Sequence, residues 1–315
     1  MKGRPNIVVP TIRSPEFFNG FLNNWKEEFS GCHLIVIEDR EKKLMSKLLE
    51  QHSKDNNYTY ELYDWRDIDK DLKDDAWIIS RQTDCVRNYG YLKAYKNQAL
   101  FIVTLDDDLK PATGHIMRFY NNLFNDIEVD GKYFSTISGD VPRGVMTKYP
   151  QEVVVSHGYW HTVPDFSAKQ QISKLGKFDI PSFYNGHVPI GAYYSMCGMN
   201  LAWKTDFTKY MYFPLMGAKG GYPIDRCGDI WAGYYSKHKA DEREVLHVTG
   251  KPYAIHERAS NVWTNLIKEK DEDVMGVEFI NSIIKGNKPY IEKEYFKKLK
   301  QAYKIWGRLI DEATK

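Results

Sequence analysis

The sequence predicts an α/β fold: a mostly parallel central sheet flanked by helices, with further helices at the C-terminus. Two patterns carry this. The first half alternates short apolar runs with longer polar stretches able to form helical crossovers, as in successive βαβ units. The end of the chain repeats apolar residues at helical spacing among Lys and Glu. In order, strands are expected near Ile7–Pro10, Leu34–Ile37, Thr59–Leu62 and Leu100–Leu105. Between the first two, Pro15–Phe29 places Phe18, Leu22, Trp25 and Phe29 on one helical face. Thr83–Lys96 and Ala112–Asn125 supply the next crossovers. From Lys132 the pattern turns to short strands punctuated by Gly and Pro, in YFSTISG, EVVVSHG and then VPIGAYYSMCGMNLAW. That shift predicts an elaboration of the sheet and no separate domain. In Lys288–Lys315, residues Ile291, Phe296, Leu299, Tyr303, Trp306 and Ile310 form the apolar side of an amphipathic helix, its basic side reading as a solvated face.

At 315 residues the chain is long enough for a substantial core. Forty-four Lys and Arg against 42 Asp and Glu leave a formal charge of +2, so nothing points to a polyanionic partner and nucleic acid is disfavoured. The 22 Tyr, 15 Phe and 8 Trp exclude a disordered chain, and such rings can line polar pockets. The longest apolar runs, IVVP, HLIVI and ALFIVTL, fall far short of the roughly 18 residues that span a bilayer. No membrane span is expected, and MKGRPNIVVPTIR lacks the core of a signal peptide. Cys32, Cys85, Cys197 and Cys227 are scattered, which fits a reducing, cytoplasmic location. His157 and His161 in HGYWH have no companion ligands, so zinc is unsupported. There is no G-x-G-x-x-G, P-loop or G-x-S-x-G motif, which argues against dinucleotide oxidoreductases, P-loop phosphotransferases and α/β hydrolases.

The most informative segment is LFIVTLDDDLKP, where Asp106, Asp107 and Asp108 follow a buried strand. Open α/β sheets bind ligands at the carboxyl ends of their strands. Three carboxylates there repel one another unless a cation or solvent offsets the charge. Oxygen-rich sites suit Mg²⁺ or Mn²⁺, so the first and third acids form a candidate Asp-x-Asp clamp on a nucleotide diphosphate, with a plain surface turn as the alternative. Pro10, Thr11 and Arg13 end the first strand, and Glu38 and Asp39 the second; each can meet a base, ribose or phosphate, or simply terminate a strand. Asp229 opens a helix in GDIWAGYY, either as a cap or as an acid facing a sugar. His256, after a short strand, is either structural or the nitrogen ligand that favours Mn²⁺.

In their shared order VVPTIR, HLIVIED, YELYDWRDID, RNYGYL, TLDDD, VSHGYWHTVPDF, MCGMNLAW, YFPLMG, DIWAGY and TGKPY with HERASN resemble the reversibly glycosylated polypeptide family, whose plant members include UDP-arabinopyranose mutases. The likeness runs from Asn6 to about Lys268. It implies a glycosyltransferase-A-like nucleotide-sugar fold, with a catalytic domain over 1–275 and a helical extension over 276–315 packed on it. It also implies metal-dependent interconversion of UDP-arabinopyranose and UDP-arabinofuranose, in a protein that can form homo- or hetero-oligomers. By the same resemblance Asp106 and Asp108 bind metal and diphosphate, Asp107 supports them and His256 completes the metal shell. Pro10, Thr11, Arg13 and Asp39 hold the uridine, while Arg87, Gly90 and Tyr91 pack beneath it. Arg143 matches the arginine that becomes glycosylated; a guanidinium stays protonated, so its other reading is a phosphate or hydroxyl contact.

Two departures from the family pattern bear on chemistry. The family carries paired acids before Met-Trp-Ala-Gly, whereas Cys227, Gly228 and Asp229 leave only the second. A further family arginine falls at Tyr149 or Pro150. Asp225 and Lys148 are the candidates to compensate. The expected reaction detaches the pentose from UDP while Arg143 and Asp229 hold it, with Tyr159, Trp160 and Trp231 as candidate walls of the pocket or as core. The alternatives are a transferase to a separate glycan, protein or nucleic-acid base, and a non-catalytic, self-glycosylated subunit that binds sugar nucleotides.

Overall fold

Strands β1 (Asn6–Thr11), β2 (His33–Glu38), β3 (Thr59–Tyr63) and β4 (Phe101–Leu105) run parallel in the order β3-β2-β1-β4. Ile7, Val8 and Val9 are all fully buried, because helices cover both faces of this half of the sheet. On one face lies α1 (Pro15–Phe29). It starts on Ser14, whose hydroxyl accepts from Phe17 N, and on Pro15, whose fixed φ suits a first helical position. It buries Phe18, Phe21, Leu22, Trp25 and Phe29. On the other face α4 (Arg87–Lys96) lies so close that a Cβ on Gly90 would stand 2.4 Å from Val8 Cγ1. Only glycine permits that approach. Tyr91 of the same helix meets Trp203 edge-on, with ring centroids 4.6 Å apart. Two connecting helices, α2 (Ser46–Asn56) and α3 (Trp65–Leu72), complete this half, the latter opened by a capping box between Asp64 and Asp67.

The computed structural model describes residues 2–112, 114–125, 151–162, 167–173, 186–256 and 261–313. Beyond β4 come β5 (Leu109–Pro111), α5 (Ile116–Phe124), β6 (Val153–Thr162), α6 (Ala168–Ser173), β7 (Gly186–His187), β8 (Asn200–Lys204), α7 (Gly228–Glu242), β9 (Leu246–His256), α8 (Val262–Lys268), α9 (Glu272–Phe279) and α10 (Lys293–Ala313). The sheet continues as β4-β8-β6-β9-β5, with β7 also on β9. β8 is antiparallel to β4 and β6, and β5 and β7 are antiparallel to β9, so the sheet is parallel over its first four strands and mixed beyond them. Helical crossovers link the parallel half, whereas a tight turn at Asp106–Asp108 leads from β4 into β5.

Most expected elements form, with shifted ends. Of VPIGAYYSMCGMNLAW only the part from Asn200 onward is strand; Pro189, and Gly191 at φ +79°, fit poorly into a ladder. His256 ends an eleven-residue strand where a short one was expected. The segment YFSTISG lies outside the described residues. α10 buries Tyr295, Phe296, Leu299, Ala302, Trp306 and Ile310; Tyr295 donates to Leu215 O at 2.7 Å and Trp306 stacks obliquely on Tyr212. Trp231 belongs to this core. It is fully buried on α7, stacked on Phe279 at 4.8 Å.

Two histidines lie deep in the second half. His157 Nε2 accepts from Cys197 N at 3.1 Å, while neither ring nitrogen of His247 has a hydrogen-bond partner among the described residues. Burial lowers their pKa values from 6.5 to about 4 and about 3. Unfolded histidine takes up a proton near pH 6.5, so stability is full above that pH and falls as pH drops towards the folded values. By pH 5 the loss is about 2 kcal/mol per histidine. Urea unfolding at pH 7 and pH 5 is expected to show this slope, and His247→Leu to flatten it; an unchanged slope in His247→Leu contradicts the assignment.

Candidate functional site

The carboxyl ends of β1, β2 and β4 converge on a cavity of about 560 Å³ lined by Pro10–Arg13, Asp39, Gln82–Asp84, Val86, Arg87, Asp106–Asp108 and Lys219. This is where parallel α/β sheets place ligands. The acid turn is fixed from below: Leu109 N donates to Asp106 O, and Trp25 Nε1 of α1 donates to Leu109 O at 2.7 Å.

Each acid has a different environment. Asp106 receives Arg87 Nη2 at 2.6 Å. Arg87 is almost fully buried and also donates to Thr104 Oγ1, Gly198 O and Asp84 O at 3.0, 2.5 and 2.8 Å. Burial works against its charge, but Asp106 leads the groups that outweigh it and raise its pKa. Asp107 turns inward, accepting from Thr11 Oγ1 at 2.6 Å with Arg13 Nε at 3.6 Å. Burial raises its pKa. Asp108 has Arg13 Nη2 at 3.8 Å, and burial followed by repulsion from Asp106 raises its pKa to about 6, against the pull of His256. His256 is buried opposite Leu109 in the β5–β9 pair, which brings it beside Asp108.

Hard oxygen donors, an imidazole at their edge and a carboxyl destabilised as an anion are chemically suited to a divalent cation. Among the described residues, no three His, Cys, Asp or Glu side chains already converge as a metal cluster.

The uridine candidates also sit here. Thr11 Oγ1 accepts from Arg13 N, and Arg40 Nη2 donates to Arg13 O at 2.9 Å, which binds the first loop to the second. Asp39 accepts from Trp65 Nε1 at 2.7 Å and from the backbone of Gln82 and Thr83, its pKa raised by burial. Glu38 does not face the cavity; it is fully buried and accepts from Leu44 N and Met45 N, shaping the approach to α2.

Asp229 lines an adjacent cavity of similar volume, with Trp160, Ser195, Cys197, Arg226 and Glu272 among its walls. Its carboxylate accepts from Gly198 N at 3.3 Å and Ile230 N at 2.8 Å. The Gly198 peptide therefore joins the two cavities, since its oxygen accepts from Arg87. A Cβ there would meet Arg87 Nη1 at 2.8 Å. Asp225 is engaged elsewhere, accepting from Ala218 N and pairing with Lys268, so it does not stand in for the acid absent at Gly228. Arg143, Lys148, Tyr149 and Pro150 lie outside the described residues.

Sequence reasoning missed Gln82, Thr83, Asp84 and Lys219. The signal for Asp84 was its position three residues before Arg87 in TDCVR, and for Lys219 the glycine-rich GAKGG.

A family model described as reversibly glycosylated polypeptide matches residues 2–304. The chain is 30% identical over 341 residues to UDP-arabinopyranose mutase 1 of Oryza sativa subsp. japonica, covering 98% of this chain and 86% of that protein. It is 32% identical over 296 residues to UDP-arabinopyranose mutase 2 of Arabidopsis thaliana, covering 85% and 75%. Among solved structures, S. aureus TarS 1–349 in complex with UDP-GlcNAc superposes with a TM-score of 0.55 at 12% identity, covering 96% of this chain and 72% of that one. That likeness supports the glycosyltransferase-A-like fold.

Proposed function

The chain belongs to the reversibly glycosylated polypeptide family, and from that premise we propose that it is a UDP-pentose mutase interconverting UDP-arabinopyranose and UDP-arabinofuranose. The observation that carries the proposal is one cavity gathering Thr11, Arg13, Asp39 and the three acids, in a chain similar over most of its length to relatives bearing that name. In this reading residues 1–275 form the catalytic unit and 276–315 a helical extension packed on it. The four buried cysteines form no disulfide among the described residues, which fits a cytoplasmic setting.

Pro10, Thr11 and Asp39 hold the uridine, with the diphosphate over the acid turn. Arg13 sets opposite charge beside the phosphates, and Arg87 fixes Asp106 from beneath. Asp106 and Asp108, with His256 beside Asp108, would hold a Mn²⁺ or Mg²⁺ ion, which would supply charge neutralisation to the departing UDP. The pentose then projects toward Asp229, whose carboxylate accepts from its hydroxyls. Trp160 of the adjacent cavity shields it from water while the ring reopens and closes in the other size. Rejoining the sugar to UDP completes an isomerisation with no net change in atoms. By resemblance Arg143 assists in holding the detached sugar.

The adjacent cavity gives a transferase its one specific support, because an acceptor could seat there. Incubating the purified chain with UDP-arabinofuranose, with Mn²⁺ or with EDTA, tests the proposal. Conversion to UDP-arabinopyranose is expected with Mn²⁺ and is expected to fall more than about 100-fold with EDTA. No conversion by the folded, metal-supplied protein overturns the mutase assignment, and undiminished conversion in EDTA overturns the metal.

A further inference from the structure

Helix α7 opens with a single acid because Gly228 has no side chain. Its backbone is ordinary helix, so φ does not demand glycine there. Space does. A Cβ at 228 would lie 2.6 Å from Cys85 Sγ, and 3.5 and 3.6 Å from the two carboxylate oxygens of Asp84. The Asp84 carboxylate therefore stands beside the space a side chain on Gly228 would enter, one residue from Asp229.

The turn that carries it, Asp84–Val86, is held firmly. Thr83 caps it by accepting from Cys85 N at 3.2 Å, and Arg87 Nε donates to Asp84 O at 2.8 Å. Burial raises the Asp84 pKa, against the opposite charge that the guanidinium groups of Arg87 and Arg226 set beside the carboxylate. Asp84 lines the cavity of the acid turn, while Asp229 and Arg226 line its neighbour. Asp84 thus occupies the join between the place for the diphosphate and the place for the sugar.

We propose that Asp84 contacts the substrate, its carboxylate acting with Asp229 to hold adjacent hydroxyls of the sugar, and so supplies from the 3-10 turn the acid that α7 lacks at Gly228. A carboxylate accepts from sugar hydroxyls, and acids from two elements can engage the two hydroxyls of a vicinal diol. The inference rests on the reading that a UDP-sugar fills these cavities, and it holds whether the sugar is isomerised or transferred.

The test titrates UDP and UDP-arabinofuranose, each with Mn²⁺, into the wild type, Asp84→Asn, Asp84→Ser and the relocated variant Asp84→Ser/Cys85→Ala/Gly228→Asp. Removing Cys85 Sγ clears the space for the new side chain. Asp84→Asn and Asp84→Ser are expected to bind UDP within about 2-fold of wild type and UDP-arabinofuranose about 10-fold more weakly, the loss of one charge-assisted hydrogen bond. The relocated variant is expected to recover to within about 3-fold of wild type. Asn keeps the shape of the side chain, so it reports even where Ser fails to fold. Equal losses for both ligands, or no loss for either, overturn the proposal, as does a relocated variant that binds UDP normally without recovering the sugar term. Wild-type protein that shows no ring conversion but keeps this Asp84 dependence sinks the mutase assignment and leaves the inference standing.

Discussion

Arg87→Met is expected to destabilise the chain by about 3–5 kcal/mol and to abolish turnover. The guanidinium is 2% exposed and donates to four acceptors from three separate stretches of chain: Asp84 O, Thr104 Oγ1, Gly198 O and the Asp106 carboxylate. Methionine fills much of the volume but leaves the Thr104, Gly198 and Asp84 oxygens without that donor and Asp106 without its counter-charge. Breaking a buried pair from one side costs far more than the pair itself contributes, because the remaining charge stays desolvated. Arg87→Lys keeps the charge and loses the planar fork that reaches several acceptors at once, so only part of the stability is expected to return. Urea unfolding at pH 7 measures both variants. A loss under about 1 kcal/mol in Arg87→Met means that the buried network is not what holds the site.

Asp106→Asn and Asp108→Asn are each expected to lower turnover by more than about 100-fold, with opposite effects on stability. Asp106 is the partner of Arg87, and neutralising it strands a buried cation. Asp108 is an anion held against its preference: its pKa stands near 6 where an ordinary aspartate has 3.8. For such a group the sign is plain. The folded state binds a proton more readily than the unfolded chain, so ionisation destabilises the fold as pH rises from about 4 through 6. Asparagine removes that penalty, and Asp108→Asn is expected to be about 1–2 kcal/mol more stable than wild type at pH 7 while being inactive. Activity lost with stability gained marks a residue retained for function. Thermal unfolding beside a turnover assay checks the pair, and an Asp108→Asn protein that is both active and less stable contradicts the roles assigned to the acid turn.

The parallel half of the sheet was legible because β1, β2 and β4 are short, largely apolar and buried on both faces, and because α1 repeats its aromatic residues at helical spacing. The Asp106–Asp108 turn was legible for the same reason: three acids directly after a buried strand have few other places to go. The antiparallel half was harder to read. Nothing local to Asn200–Lys204 says that it pairs between β4 and β6, since such pairing depends on partners far away in the chain, Phe101–Leu105 on one side and Val155–His157 on the other. Trp231 shows the limit for aromatic residues, because a helix start near a site and a helix packed in the core look alike until α9 and α10 are seen to cover it. Asp84 shows the limit for acids. In sequence it is one carboxyl before a buried helix, and only the space around Gly228 sets it beside the start of α7.

The central claim is that the cavity over the acid turn breaks the bond between a pentose and UDP and then remakes it. UDP-arabinofuranose labelled with ¹⁸O in the bond between the sugar and the β-phosphate, incubated with the purified chain and Mn²⁺ but no acceptor, tests it most directly. The account predicts that label moves into the non-bridging positions of the β-phosphate, read by ³¹P nuclear magnetic resonance, as UDP-arabinopyranose accumulates, and that neither change occurs with Asp106→Asn. Label that stays in the bridge while the ring form changes, or UDP released only when an acceptor is added, would contradict it.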